Sequence, residues 1–244
     1  MIVANPPVQP LGELLTDWRV PPYPSGQPLQ GCFARLEPLR AELHAASLHA
    51  ANSRDVDGRN WTYLPYGPFD SLDAYRSWME SFCAGRDPQF YAIIEQSSGL
   101  ARGVASYLRI TPASGCIEVG HLHFSPPLQR TPAASEAVIL LMKHAFELGY
   151  RRFEWKCDAL NAPSCAAALR LGFSFEGVFR QAAVVKGRNR DTAWFAVIDR
   201  DWPALATAFA RWLDPANFDP AGQQRLALSS LTAQIGSRRG EAGG

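Results

Sequence analysis

The chain is short of net charge, of pairable cysteine and of long apolar runs. Its 24 basic and 23 acidic residues leave a formal charge of +1. So even a balance gives no global electrostatic reason to expect nucleic acid or an anionic membrane as partner. Cys32, Cys83, Cys116, Cys157 and Cys165 are odd in number and form no Cys-x-x-Cys pair. That argues against a disulfide framework, makes reduced thiols and a cytoplasmic location the expectation, and leaves no metal expected. No stretch of 18 consecutive apolar residues occurs, and Met1 to Gly12 lacks a basic start followed by an apolar run, so neither membrane spanning nor export is indicated. What is present is apolar material: 47% of 244 residues, enough for one large core or two small ones.

Residues 1–30 are proline-rich and without periodicity, which predicts an extended arm against the body. Cys32 to Leu36 reads as a first strand. Glu37 to Ala51 reads as a helix with Leu39, Leu43, Ala46 and Ala50 on its inner face. An aromatic, proline-bounded loop, Trp61 to Phe69, precedes a helix over Ser71 to Ala84, capped by Ser71, with Leu72, Tyr75, Trp78, Met79 and Phe82 inward. Phe90 to Glu95 and Gly103 to Ile110 form a hairpin across Ser98-Gly99, and Cys116 to Phe124 follows as a strand. Near the end, Phe175 to Val185 and Thr192 to Asp199 pair across a turn at Lys186 to Asp191. Trp202 to Trp212 and Ala221 to Ile235 are predicted helices, packing on the back of the body or on a second subunit in a homodimer; Arg238 to Gly244 is a loose tail.

The densest information lies between Leu128 and Gly177. Gln129-Arg130-Thr131-Pro132-Ala133-Ala134 opens an amphipathic helix carrying Val138, Leu141, Met142, Ala145 and Leu148, which stops at Gly149. Backbone N–H groups at such a start attract phosphate. Phe153, Trp155 and Cys157 then alternate with charged residues as in a strand, and Asn161-Ala162-Pro163-Ser164 starts a helix ending in Leu171-Gly172-Phe173. Strand, helix, strand in this order is a crossover unit.

Gln129 and Ala134, followed by Ser135-Glu136-Ala137, then Asn161, Ser164, Leu171-Gly172-Phe173 and Glu176-Gly177, resemble the GNAT acetyltransferase superfamily. Within it the chain is similar to the ribosomal-protein N-terminal acetyltransferases. The resemblance spans roughly 31–200. It implies an α/β fold with a mixed, mostly antiparallel sheet of about seven strands, splayed at the cofactor site and flanked by helices on both faces. Residues 1–30 are then an N-terminal arm, 31–200 the acetyltransferase domain and 201–244 a helical extension. Arg130 and Pro132 stand where that branch has glycine, and Pro132 has no N–H to offer. Either other donors serve, with Arg130 adding charge, or cofactor affinity is reduced.

The same resemblance implies acetyl transfer from acetyl-CoA to a primary amine, a protein N-terminus or a small molecule, by direct attack. Acetyl-CoA contacts fall on Phe124, Gln129, Arg130, Thr131, Ala133, Ala134, Ser135 and Asn161. The oxyanion donor is a backbone N–H near His123 to Ser125. Glu118 matches the branch's base, acting through water; its other reading is an ion pair with Arg109 or another basic residue. His121 offers itself as base or acceptor contact. Ser164 matches the residue that protonates the leaving thiolate, though Ser164 and Asn161 also suit helix capping. Trp61, Tyr63, Tyr66 and Phe69 occupy the segment that walls the acceptor pocket, two of them facing it. Arg180, Lys186, Arg188 and Arg190 could meet an acidic acceptor, a ribose phosphate or only solvent. The competing expectation is a catalytically silent module on the same fold, for which the missing glycines are the argument.

Overall fold

The computed structural model describes residues 9–220 and 222–241, the side chains at 234 and 236–241 excepted. The sheet has eight strands. They are β1 (Leu29–Gln30), β2 (Ala34–Pro38), β3 (Gln89–Glu95), β4 (Leu100–Thr111), β5 (Cys116–Phe124), β6 (Arg152–Asp158), β7 (Ser174–Val185) and β8 (Arg188–Ile198), in the order 1-2-3-4-5-6-8-7. Among the described strands only β5 and β6 run parallel, which their long crossover connection allows. The strand beyond the expected seven is β1, two residues of the N-terminal arm paired antiparallel with β2 at the edge.

Alternation along the strands builds two cores. Tyr91, Ile93, Ala105, Tyr107, Ile117, Phe153, Trp155 and Phe195 face α3 (Pro132–Glu147) and the C-terminal helices α5 (Trp202–Leu213) and α6 (Leu228–Glu241). Phe90, Ala92, Ile94 and Val104 face α1 (Ala41–Asn52) and α2 (Leu72–Phe82) on the other side. Each fully buried large side chain contributes roughly 1.5–3 kcal/mol of transfer free energy. The second core ends at β4, so the even-numbered residues of β6 on that face, Arg152, Glu154, Lys156 and Asp158, keep their polar character. This bare stretch becomes the floor of the site.

Capping chemistry sets the helix starts as expected. Ser71 Oγ accepts from Ala74 N–H, Thr131 Oγ1 from Ala134 N–H with Pro132 at the first position, and Asn161 Oδ1 from Ser164 N–H at α4 (Ala162–Arg170). The Leu-Gly-Phe motif also has a physical cause. Gly172 sits at φ 81, and a Cβ there would lie 2.4 Å from Leu205 of α5. Glu136 of α3, nearly inaccessible at 2% exposure, accepts the backbone N–H groups of Cys32, Phe33 and Ala34. This tether displaces the first strand from the expected Cys32 to Leu36, because those N–H groups serve Glu136 rather than a neighbouring strand.

Three further expectations change. The inner face of α1 is Ala41, His44, Ala45, Leu48 and Ala51, whereas Leu43, Ala46 and Ala50 are exposed. A helix rich in alanine carries two overlapping apolar periodicities, and the close approach of α2 and β4 selects the one with small residues. The turn between β7 and β8 is only Lys186-Gly187, both at positive φ (49 and 72), so Arg188 to Asp191 belong to β8. The last helix begins at Leu228 rather than Ala221. Asn217 binds Trp212 O and both backbone groups of Leu226, which holds residues 222–226 as a loop. Ala221, residues 1–8 of the arm and 242–244 of the tail lie outside the described residues. The arm from residue 9 does run along the body, where Tyr23 donates to Arg86 O and lies under its guanidinium. The C-terminal helices pack on α3 and α4 and place Leu205, Phe209, Trp212, Leu228 and Leu231 in the main core.

Candidate active site

β5 and β6 pair only from Cys116↔Arg152 to Val119↔Trp155. Beyond that point β5 continues to Phe124 and β6 to Asp158 without meeting. The gap opens a cleft of about 1300 Å³ that reaches from the N-terminus of α3 to the bare sheet floor. A bulge on β5 contributes: Val104↔His123 and Ser106↔Gly120 leave His121 and Leu122 opposite Ala105 alone, with His121 at φ 49. The bulge turns the His121 ring into the cleft.

At the α3 end, Arg130 adopts φ 62, the left-handed conformation that glycine takes most easily, so the loop keeps a glycine-like turn without glycine. Gln129 Nε2 donates to Phe124 O (2.9 Å) and Asn60 Oδ1 (2.8 Å), which ties the loop to the end of β5. Pro132 stands at the first helical position, where it removes one donor, and Thr131 occupies the N–H of Ala134. Ala133 N–H remains in the first turn. Ser125 N–H donates to Arg102 O on β4. Successive strand N–H groups point to opposite edges, so that of Phe124 points into the gap.

Across the gap, Trp155 Nε1 donates to Ser164 Oγ at 3.0 Å. An indole is only a donor, so it takes a lone pair of Ser164 and leaves the hydroxyl proton free to point elsewhere. Cys157, beside Ser164, is pushed up to about 12, first by burial. It is a thiol at neutral pH, 3.6 Å from the thiol of Cys165.

The floor carries a chain of charges. Glu118, 2% exposed, receives Arg109 Nε (2.7 Å) and Nη2 (2.5 Å) on its two oxygens, and Lys156 Nζ at 2.9 Å. Lys156, 7% exposed, also reaches Glu154 at 2.8 Å, lies over the Trp194 ring at 3.6 Å, and Glu154 continues through Arg152 to Glu176. Glu118 therefore sits in the ion pair that was its alternative reading, with a second cation added. His121 Nδ1 is 3.2 Å from Tyr66 Oη. Burial, helped by Arg109 and Arg190, lowers its pKa to about 4, so the imidazole is neutral at pH 7.

Of the four expected wall aromatics, Tyr63 lines the cleft and its hydroxyl spans to Leu160 O at 3.1 Å. Tyr66 reaches it only through His121. Trp61, stacked on His123 at 3.8 Å, and Phe69 belong to the second core. The basic turn divides. Lys186 Nζ donates to Trp61 O and Gly67 O, clasping the β7–β8 hairpin onto the aromatic loop. Arg180 borders a separate hollow with Asp191, and Arg190 lines the cleft. Sequence reasoning missed Asn60, Lys156 and Arg170. Arg170 lines the α3 end, donates to Ser135 Oγ at 3.0 Å and has its pKa lowered by burial. Its position directly before Leu171-Gly172-Phe173 was the signal available.

A family model described as an acetyltransferase (GNAT) domain matches residues 34–174. Among solved structures, a GCN5-related N-acetyltransferase from Brucella melitensis is 44% identical, covers 90% of this chain and 100% of its own, and superposes with a TM-score of 0.87. A probable GNAT-family acetyltransferase from Chromobacterium violaceum ATCC 12472 is 46% identical over 82% of this chain and 100% of its own, with a TM-score of 0.75. At 23% identity, 69% and 96% coverage and a TM-score of 0.56, an acetyltransferase of Salmonella typhimurium that modifies the N-terminal serine of ribosomal protein L7/L12 shares the fold. No curated protein sequence matches the chain at significance.

Proposed function

Starting from the premise that the chain belongs to the GNAT acetyltransferase family, we propose that it moves an acetyl group from acetyl-CoA directly to a primary amine in the gap between β5 and β6. The observation that carries this reading is the geometry of the gap, which has an anion-binding helix start at one end and a donor hydroxyl and a neutral imidazole at its middle. Acetyl-CoA supplies an acyl carbon on a thioester with thiolate as leaving group. The N–H of Ala133, Arg130 and Arg170 fit its phosphates, with Thr131, Ala134 and Ser135 shaping that turn and Gln129 fixing it to β5. Asn161 lines the narrow part. Phe124 N–H is the donor to the developing oxyanion.

Nucleophilic attack needs an unprotonated amine. The charge of Arg190, which lines the cleft without an ion pair among the described residues, favours that form, because like charge lowers an ammonium's pKa. Once the C–N bond forms, the nitrogen becomes strongly acidic, so a weak base suffices. We assign that role to His121 in the tautomer whose Nδ1–H donates to Tyr66, leaving Nε2 open to the cleft. Glu118, with both oxygens occupied by cations, holds Arg109 and Lys156 in place. Ser164 relays a proton to the thiolate, giving up its own as it takes one from water in the open cleft, so that no alkoxide remains. Cys157, kept protonated, is no nucleophile, which favours direct attack over an acetyl-enzyme. The acceptor, whether a protein N-terminus or a small amine, and a cytoplasmic location complete the proposal.

The test is calorimetric titration with acetyl-CoA and CoA, followed by thiol release over a panel of amines. Saturable binding and amine-dependent release support the reading. Absence of binding at millimolar ligand would reject it.

A further inference from the structure

The six basic residues of the cleft wall are Arg59, Arg109, Arg130, Lys156, Arg170 and Arg190, against the acids Glu118 and Asp158. A chain with a net charge of +1 has concentrated positive charge in one place. Arg59, Arg130 and Arg170 lie toward the α3 end, where the phosphates of acetyl-CoA account for them. At the acceptor end, Arg109 and Lys156 are neutralised within the chain Arg109, Glu118, Lys156, Glu154, Arg152, Glu176, which holds three cations and three anions. Asp158 spends Oδ1 on Leu160 N–H.

Arg190 stands outside this balance. Its Nε is buried with no hydrogen-bond partner among the described residues, and no described carboxylate forms an ion pair with it. The neighbouring acid, Asp191, projects from the other face of β8, where Oδ1 accepts from Gln181 N–H and Asn189 Nδ2. A guanidinium on the wall of a substrate cleft that no carboxylate neutralises is a ready partner for an anion, which its terminal Nη groups would meet since Nε itself is sealed. Arg190 and His121 line the same cleft, and the charge of Arg190 helps burial to lower that ring's pKa.

We infer that the acceptor is a primary amine whose own molecule carries a carboxylate near the amine, and that Arg190 binds that carboxylate. The inference rests on the acetyl-transfer reading of this cleft. An α-amino acid and a peptide with an acidic residue beside its N-terminus share this chemistry. The uncompensated charge of Arg190 also sorts the two groups, since it repels the ammonium form and attracts the carboxylate, so the molecule enters acid end toward Arg190 with a free amine toward the gap.

Matched pairs decide the matter: an amino acid against its amide, and an Asp-containing dipeptide against its Asn counterpart. Wild-type enzyme should favour the acid at least about tenfold in kcat/KM, the factor one charge-assisted hydrogen bond supplies, and Arg190→Gln should collapse that ratio toward one. A preference confined to the amino acid or to the dipeptide identifies the source of the carboxylate. Equal rates within each pair, or a preference that survives in Arg190→Gln, would overturn the inference. Binding of the N-acetylated pairs to the CoA-loaded protein, read by calorimetry, needs no turnover. Tighter binding of the acids there, lost in Arg190→Gln, without thiol release from any amine would sustain the carboxylate site while removing the transferase reading. Equal binding of acid and amide would remove the site whatever the turnover.

Discussion

Replacing Glu118 by Gln separates a structural carboxylate from a catalytic one. Glu118 is 2% exposed and accepts from Arg109 and Lys156. Breaking a buried ion pair from one side costs roughly 3–5 kcal/mol, since the remaining charge stays buried and unpaired. Here the cost is reduced from both directions. The Arg109 side chain is 58% exposed and can turn to solvent, and Lys156 keeps Glu154 at 2.8 Å. A loss of about 2–3 kcal/mol follows, which for a domain of this size lowers Tm by about 4–12 °C. Because Lys156→Met breaks one of the same pairs, the double variant should cost about 1 kcal/mol less than the sum of the two single variants, a coupling that a double-mutant cycle measures by chemical denaturation. The kinetic counterpart is decisive. A general base supplies about 10²–10⁴ in rate, whereas a residue that only holds two cations should leave kcat per folded molecule within about fivefold at temperatures where the variant is folded. A fall of 100-fold or more in kcat, with stability changed by under about 1 kcal/mol, would refute the reasoning and return Glu118 to the role of base.

Ser164→Ala should slow thiol release at least about tenfold with little change in calorimetric affinity for acetyl-CoA, because Asn161 and not Ser164 caps α4; an unchanged rate would leave the hydroxyl without a chemical part. Asn161→Ala should lower the free energy of unfolding by about 1 kcal/mol through loss of that cap, seen in urea titration. Glu136→Ala should cost about 2 kcal/mol, since three backbone N–H groups, that of Ala34 buried, lose their acceptor; a Tm within a degree of wild type would contradict the tether. Burial lowers His121 to about 4 and His123 to about 3. Both therefore bind protons more readily in the unfolded chain, and their contribution is complete above the ordinary histidine range near pH 6.5, then is lost as pH falls toward 4 and 3. Unfolding curves between pH 7 and 4 should show stability falling on acidification, and variants His121→Asn and His123→Asn should flatten that slope.

Whatever depends on near neighbours in the chain was readable from residue order. The period of 3.6 in Val138, Leu141, Met142 and Ala145 and the period of 2 in Phe153, Trp155 and Cys157 located α3 and β6, and Ser71, Thr131 and Asn161 marked helix starts through their own side-chain chemistry. The order of motifs from Gln129 to Gly177 carried the family. Relations between residues far apart in sequence were decided only by the tertiary structure. Whether Glu118 is a base or half of an ion pair depends on Arg109 and, above all, on Lys156, 38 residues away, which parallel pairing of β5 and β6 brings to its side. Trp61, Tyr63, Tyr66 and Phe69 are one composition in sequence, yet they divide between core and cleft according to where α2 and His123 leave room. Arg130 could be read as a lost glycine, because residue type records a preference for φ and not the φ adopted. The basic turn looked uniform until alternation along β8 sent Asp191 to one face and Arg190 to the other. A strand's period fixes which residues share a face, but only the neighbouring elements determine which face is covered and which is left open to a substrate.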